Sequence, residues 1–239
     1  MTHRPVQSGV FVAGTDTGIG KTHVACALLH ALRATGLRAS GMKPVASGCA
    51  QTSEGLRNED ALALIDASDP RPDYAACNPY AFEPAIAPHL AAADAGVRID
   101  PEVIAAAFAQ LATRADIVVV EGVGGWMVPL SDRLDAGAIP RLLGLPVILV
   151  VGLRLGCINH ARLSARAIAD DGCELLGWIG NAIDPDMARR SDNLATLHRL
   201  LPAPCLGVLE HAVEPGLAVD AAAHHAALAV AVDRLNARP

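Results

Sequence analysis

Short runs rich in β-branched residues alternate along this chain with longer segments whose apolar residues recur at helical spacing. Val10-Phe11-Val12-Ala13 reads as a buried strand, and His23–Leu32 as the helix after it. Gly36 closes that segment, and Leu37–Met42 reads as a second strand. Asn58 is placed to cap a helix opening through Leu64, with Glu59 and Asp60 in its first turn. From Asp69 to Pro88 the prolines at 70, 72, 79, 84 and 88 predict an irregular stretch. Asp100-Pro101-Glu102 starts a helix to about Leu111, with aspartate as cap and proline at the first helical position. Strands are then expected at Asp116–Val120, Leu145–Gly152, Leu175–Asn181 and Cys205–Leu209, and helices at Ala161–Asp170, Pro185–Leu201 and Asp220–Leu235. This alternation predicts one α/β domain over residues 1–239, a mainly parallel sheet with helices on both faces and ligands at the C-terminal strand ends. Residues 1–8 are expected to form a disordered tail.

Four strand ends carry candidate chemistry. After the first strand comes Gly14-Thr15-Asp16-Thr17-Gly18-Ile19-Gly20-Lys21-Thr22. Strand, glycine-rich loop, Gly-Lys-Thr and helix form the phosphate-cradling arrangement of P-loop proteins. Glycines let backbone N–H groups turn towards a phosphate, and the helix N-terminus adds unpaired donors. Lys21 then lies against terminal phosphates, and the Thr22 hydroxyl is suited to magnesium. Gly14 and Gly20 enclose five residues where the general pattern has four, so the loop is a variant. The second strand ends in Lys43-Pro44, which puts an ammonium at the ligand-binding rim; a solvated surface lysine is the alternative. The strand 116–120 runs into Glu121, followed by Gly122, Gly124 and Gly125. An acid there suits a hard divalent cation, held directly or through water. Asn181 ends another strand in an amide that suits recognition of a base edge. For Asp60 helix capping is an equally good reading, and spacing does not decide. Asn78-Pro79-Tyr80 and Ala87-Pro88-His89 are expected to border the site, because long loops inside compact domains are often functional.

Composition narrows the class of partner. A net charge of -6 provides no basic field for a nucleic-acid backbone, so no nucleic acid is expected as partner. No apolar run reaches the ~20 residues that span a bilayer, and Met1–Gly9 has no apolar signal core, so no membrane is involved and a cytoplasmic protein is expected. Six scattered cysteines without a Cys-x-x-Cys pair read as reduced packing residues. Hydrophobic residues make up 52% but aromatics only 3%, so the core is built from Ala, Val, Leu and Ile.

Taken together, these stretches resemble the dethiobiotin synthetases, ATP-dependent enzymes of biotin biosynthesis in the P-loop NTPase superfamily. The match is carried by the variant loop, Lys43-Pro44-Val45-Ala46-Ser47-Gly48, Gly55-Leu56-Arg57-Asn58 with Asp60-Ala61, Asn78-Pro79-Tyr80, Pro88-His89, Glu121-Gly122-x-Gly124-Gly125-Trp126 and Gly156-Cys157-Ile158-Asn159-His160. It covers about residues 10 to 210. The resemblance implies a cyclo-ligase joining diaminopelargonate to CO2 with cleavage of ATP, with Mg2+ as cofactor. It implies that Thr17, Lys21 and Lys43 serve the chemistry and that Gly18, Ile19, Gly20, Lys21 and Thr22 hold the phosphates. Thr22, Asp60 and Glu121 would hold the metal. Substrate would meet Thr17, Lys43, Ser47, Gly124 and Gly125, and Cys157, Ile158 and Asn159 of a second subunit in a homodimer. The base would lie near Asn181, Ala182, Glu210 and His211. Three positions depart from the family's pattern: Gly18 and Ala182 stand where acids occur, and Leu209-Glu210-His211-Ala212 replaces a proline-containing stretch. The competing reading is a P-loop switch ATPase of the partitioning or metal-delivery kind, which would not need Lys43–Gly48. A guanine-nucleotide switch is disfavoured, since no Asn-Lys-x-Asp follows a strand.

Overall fold

The computed structural model describes residues 9–211 and 221–237. In chain order, β1 (Gly9–Gly14) leads through the glycine loop into α1 (Lys21–Ala34), and β2 (Ala39–Met42) follows. Next come β3 (Val45–Ser47), β4 (Ala50–Thr52), β5 (Gly55–Arg57), α2 (Glu59–Ala67), α3 (Tyr74–Cys77) and β6 (Tyr80–Phe82). Then α4 (Pro88–Asp94) and α5 (Pro101–Ala112) precede β7 (Ile117–Glu121), with β8 (Pro129–Ser131), β9 (Leu134–Asp135) and α6 (Ala138–Leu143) after it. The chain continues with β10 (Val147–Gly152), α7 (Cys157–Asp170), β11 (Leu175–Asn181), α8 (Arg190–Leu200), β12 (Cys205–Leu209) and α9 (Ala221–Asn236).

The central sheet has six strands in the order β12-β11-β10-β1-β7-β2, and each neighbouring pair is parallel. Buried on both faces, β1, β7 and β10 are near-continuous apolar runs, as strands inside a parallel sheet require. Their period-two alternation divides the core in two. Phe11, Val118, Val120, Val147 and Leu149 pack with α5, α6, α7 and α8. Val10, Val12, Val119, Ile148 and Val150 pack with α1, α2 and α9. The glycine loop, Lys43, Glu121 and Asn181 leave the sheet at its carboxyl-terminal rim, at or just past the ends of β1, β2, β7 and β11.

Several local expectations are corrected. The stretch Asp69–Pro88 is not irregular throughout: it contains α3 and β6, and β6 pairs in parallel with β3 through Val45 and Tyr80. The β4–β5 and β8–β9 hairpins and α6 were not anticipated. Elements of two or three residues carry too little periodicity to register. The helix expected from Ala161 starts at Cys157, with Gly156 in the left-handed conformation at its cap (φ 95°). The helix expected from Pro185 starts at Arg190. The tail 1–8 and the expected helix start at Asp220 lie outside the described residues.

Candidate active site

The loop after β1 turns on two glycines, Gly18 (φ 72°) and Gly20 (φ 80°). That left-handed backbone disfavours side chains, and at Gly20 space forbids one as well: a Cβ would stand 2.1 Å from Asn181 Nδ2. The Asn181 amide instead donates to the Ile19 carbonyl at 2.9 Å, so the end of β11 braces the loop from behind. Asp16 braces its front: Oδ1 accepts the Thr17 N–H at 2.7 Å, and Oδ2 accepts from Arg154 at 2.5 Å. Lys21 heads α1, is 6% exposed, and folds its ammonium back onto the Asp16 carbonyl at 2.8 Å. Burial lowers the Lys21 pKa to about 8, and the nearby Lys43 ammonium adds to the fall.

Lys43 settles the question left open by spacing. It is 4% exposed, and its Nζ donates to Glu121 Oε1 at 2.5 Å and to Asp60 Oδ2 at 2.8 Å. Burial opposes its charge, but the Glu121 and Asp60 carboxylates outweigh burial and raise its pKa above the ordinary lysine value. Asp60 shows the converse. Burial pushes its carboxyl up, yet the Lys43 ammonium prevails and holds it below the usual range. Glu121 is 1% exposed; burial pushes its pKa up while Lys43 and the Thr22 hydroxyl, donating at 2.9 Å, pull it back. The net direction for Glu121 is up, and the buried ammonium and carboxyl meet through Oε1, which offsets part of the cost of burying them. Asp60 reaches this cluster because the Asn58 side chain caps α2, accepting the Ala61 N–H at 3.2 Å.

A cavity of about 740 Å³ opens over these groups. Thr17, Gly18, Gly20, Lys21, Thr22, Lys43, Ser47, Asp60, Glu121 and Gly124 all line it. The Ser47 hydroxyl is buried and has no hydrogen-bond partner among the described residues, so it is available to a ligand. Ile19 is buried under the loop and is not part of the wall. Gly125 packs beside the loop instead: a Cβ there would lie 3.8 Å from the Gly14 carbonyl oxygen. Cys157, Ile158 and Asn159 form the first turn of α7 and do not line the cavity. Glu210 accepts two hydrogen bonds from Arg190, both at 2.8 Å, and His211 Nδ1 lies 3.0 Å from the Ala182 carbonyl oxygen. Sequence reasoning missed the apolar wall of Ile86, Val123 and Val128, whose residues come from loops with no periodicity. It also missed Arg154, which nothing local connects to Asp16.

Among the described residues, no group of three or more His, Cys, Asp or Glu could hold a metal unaided. Thr22, Asp60 and Glu121 offer only oxygen donors, and Glu121 Oε2 is buried without a partner. That set fits a cation of the magnesium type, which takes one or two carboxylates and completes its shell with water and phosphate.

The family model described as AAA domain matches residues 8–214. The ATP-dependent dethiobiotin synthetase BioD of Xanthomonas euvesicatoria pv. vesicatoria (strain 85-10) is 61% identical over 214 residues, which cover 90% of this chain and 95% of that protein. The enzyme of the same name from Xylella fastidiosa (strain 9a5c) is 58% identical over 210 residues, 88% of this chain and 92% of its own. The chain belongs to the dethiobiotin synthetase family. It is therefore an ATP-dependent ligase of biotin biosynthesis, and the expected mainly parallel P-loop fold is the one observed. Solved structures share that fold at low identity. The MinC:MinD cell division protein complex of Aquifex aeolicus gives a TM-score of 0.55 at 15% identity, with 97% of each chain covered. A ParA family ATPase from Chlorobium tepidum gives 0.55 at 12%, covering 93% of this chain and 91% of its own. Among the described residues, no helix is long and apolar enough to cross a membrane.

Proposed function

We propose that this chain carboxylates 7,8-diaminopelargonate and closes its cyclic urea, cleaving ATP to ADP and phosphate. The observation that carries the reading is the seat of Lys43: a buried ammonium in one cavity with the phosphate loop, Asp60 and Glu121. One amine of the substrate adds to CO2, forming an N–C bond and releasing a proton to give a carbamate. A carbamate oxygen attacks the γ-phosphorus, and the bond to ADP breaks. The second amine then attacks the carbonyl carbon of the carbamic-phosphoric anhydride, phosphate leaves with the C–O electron pair, and the ring closes with loss of a proton.

Carbamate and triphosphate are both anionic, so their approach is opposed by repulsion. Lys21 and Lys43 place fixed positive charge where that repulsion builds, the stabilisation that dominates phosphoryl transfer. Thr22, Asp60 and Glu121 would hold magnesium, which supplies further neutralisation of phosphate charge when bound. Thr17 and Ser47 offer hydroxyls to the substrate, the backbone at Gly124 allows its close approach, and Ile86 and Val128 give its methylene chain an apolar wall. Holding both amines in register matters more than a strong base, since positioning is worth ~7–11 kcal/mol. Asn181, Ala182, Glu210 and His211 lie towards the base, and the first turn of α7, Cys157-Ile158-Asn159, completes the site of a second copy in a homodimer. The test is incubation with the diamine, bicarbonate, ATP and magnesium. A ureido product by mass, with one phosphate per ring, is expected; phosphate release without that product would refute the reading.

A further inference from the structure

We propose that Tyr74 is a positioning residue for the lysine–carboxylate cluster, fixing Lys43 through Asn78 and Asp60 through the cap of α2. The inference rests on the reading of Lys43 and Asp60 given above. Its basis is a relay through one phenol. Asn78, 3% exposed, donates its amide Nδ2 to the Lys43 carbonyl at 2.6 Å and to the Tyr80 carbonyl at 3.2 Å. Asn78 Oδ1 in turn accepts from the Tyr74 hydroxyl at 2.9 Å. The same Tyr74 oxygen accepts the Asn58 backbone N–H at 2.7 Å. Asn58 caps α2, two residues before Asp60. A single hydroxyl, used both as donor and as acceptor, thus ties the end of the lysine strand to the start of the aspartate helix.

The chain itself does little to fix that distance. Between Lys43 and Asp60 lies the β4–β5 hairpin, whose first strand is exposed at every residue. The Asp60 side chain is 42% exposed, so burial alone does not hold it. Tyr74 does not line the cavity and its hydroxyl is fully engaged, which separates its role from substrate contact. Its ring is held from the other side by the Arg57 guanidinium, 4.2 Å from the centroid. Removing the hydroxyl leaves the Asn58 N–H and Asn78 Oδ1 without their partner and frees strand and helix to shift. A misplacement of about 1 Å can cost up to ~10²-fold in rate.

The test is Tyr74→Phe, assayed for ureido product well below its own thermal midpoint. We expect kcat to fall about tenfold while KM for ATP stays within about twofold, because the phosphate loop is untouched. Arg57→Gln, which removes the stack on the ring but leaves the hydroxyl in place, is expected to lower the midpoint and keep kcat. Asn78→Ser cuts the relay at its Lys43 end and takes the place of Tyr74→Phe if that variant does not fold. Wild-type kcat in the variant that cuts the relay, or an equal loss in Arg57→Gln, overturns the inference. Lys43→Gln is read alongside. If it turns over like wild type, the reading of the site fails; if it is inactive while Tyr74→Phe is fully active, only the positioning role fails.

Discussion

Glu121 is buried to 1% exposure beside the Lys43 ammonium, which makes that lysine a matter of stability as well as chemistry. Taking one partner from a buried ion pair leaves an uncompensated charge, at a cost of about 3–5 kcal/mol. Lys43→Met should therefore lose stability of that order in metal-free buffer, read from urea unfolding. Adding Glu121→Gln to it should recover most of the loss; equal losses in the single and double variants would contradict the pairing. Spacing alone showed that Lys43 stands at a strand end; its part in the chemistry was implied by the family resemblance of Lys43–Gly48. Its partners are 17 and 78 positions away, and a lysine's fate depends on such carboxylates rather than on local spacing. Spacing leaves Asp60 undecided for the same reason. Its first-turn position and its reach into the cluster are both real, and only the tertiary neighbour distinguishes them.

Elements are held in register by polar contacts at their ends. Arg38 and Asp116 join the entries of β2 and β7 through guanidinium–carboxylate contacts down to 2.6 Å and an Arg38 N–H bond to Asp116 Oδ2 at 2.8 Å. The hydrogen bonds from the Arg38 side chain and backbone hold the Asp116 carboxyl below the usual range. A depressed carboxylate pKa adds stability that is fully present above the unfolded value and is lost as pH falls through the folded one. Asp116→Asn should thus flatten the acid limb of thermal stability below about pH 4. An unchanged limb would exclude this pair as its source. On the cavity side, the loop after β7 is anchored by Trp126, whose indole N–H donates to Asp171 Oδ2 at 2.7 Å, while Arg141 reaches Asp171 Oδ1 at 3.2 Å. Asp171→Ala leaves a buried donor unpaired and should cost about 1–3 kcal/mol. We expect it to raise KM for the diamine more than KM for ATP, because Gly124 and Val128 are on the cavity wall. Equal effects on both would argue against selective anchoring. The helix α1 was legible because burial of one face imposes a helical period, and β7 because burial on both faces makes it a continuous apolar run. The three-residue strands were not, and neither were the contacts that fix the loops.

At the scale of the molecule the P-loop architecture was readable from strand–helix alternation, yet it leaves function open, since MinD and ParA proteins share it. The short motifs at the rim and the close relatives decide between ligase and switch. If the first turn of α7 serves a neighbour's site, Lys43→Gln mixed with Asn159→Trp should regain activity through hybrids that retain one site free of both changes. No recovery after subunit exchange would place each site within one chain. The six parallel strands have a further practical consequence. All of them begin on one side and end on the other, where the cavity opens, so the turns at 113–116, 144–146 and 202–204 form a floor on the side away from it. That floor is the face on which the molecule can be tethered, labelled or fused while its working rim stays open to solution.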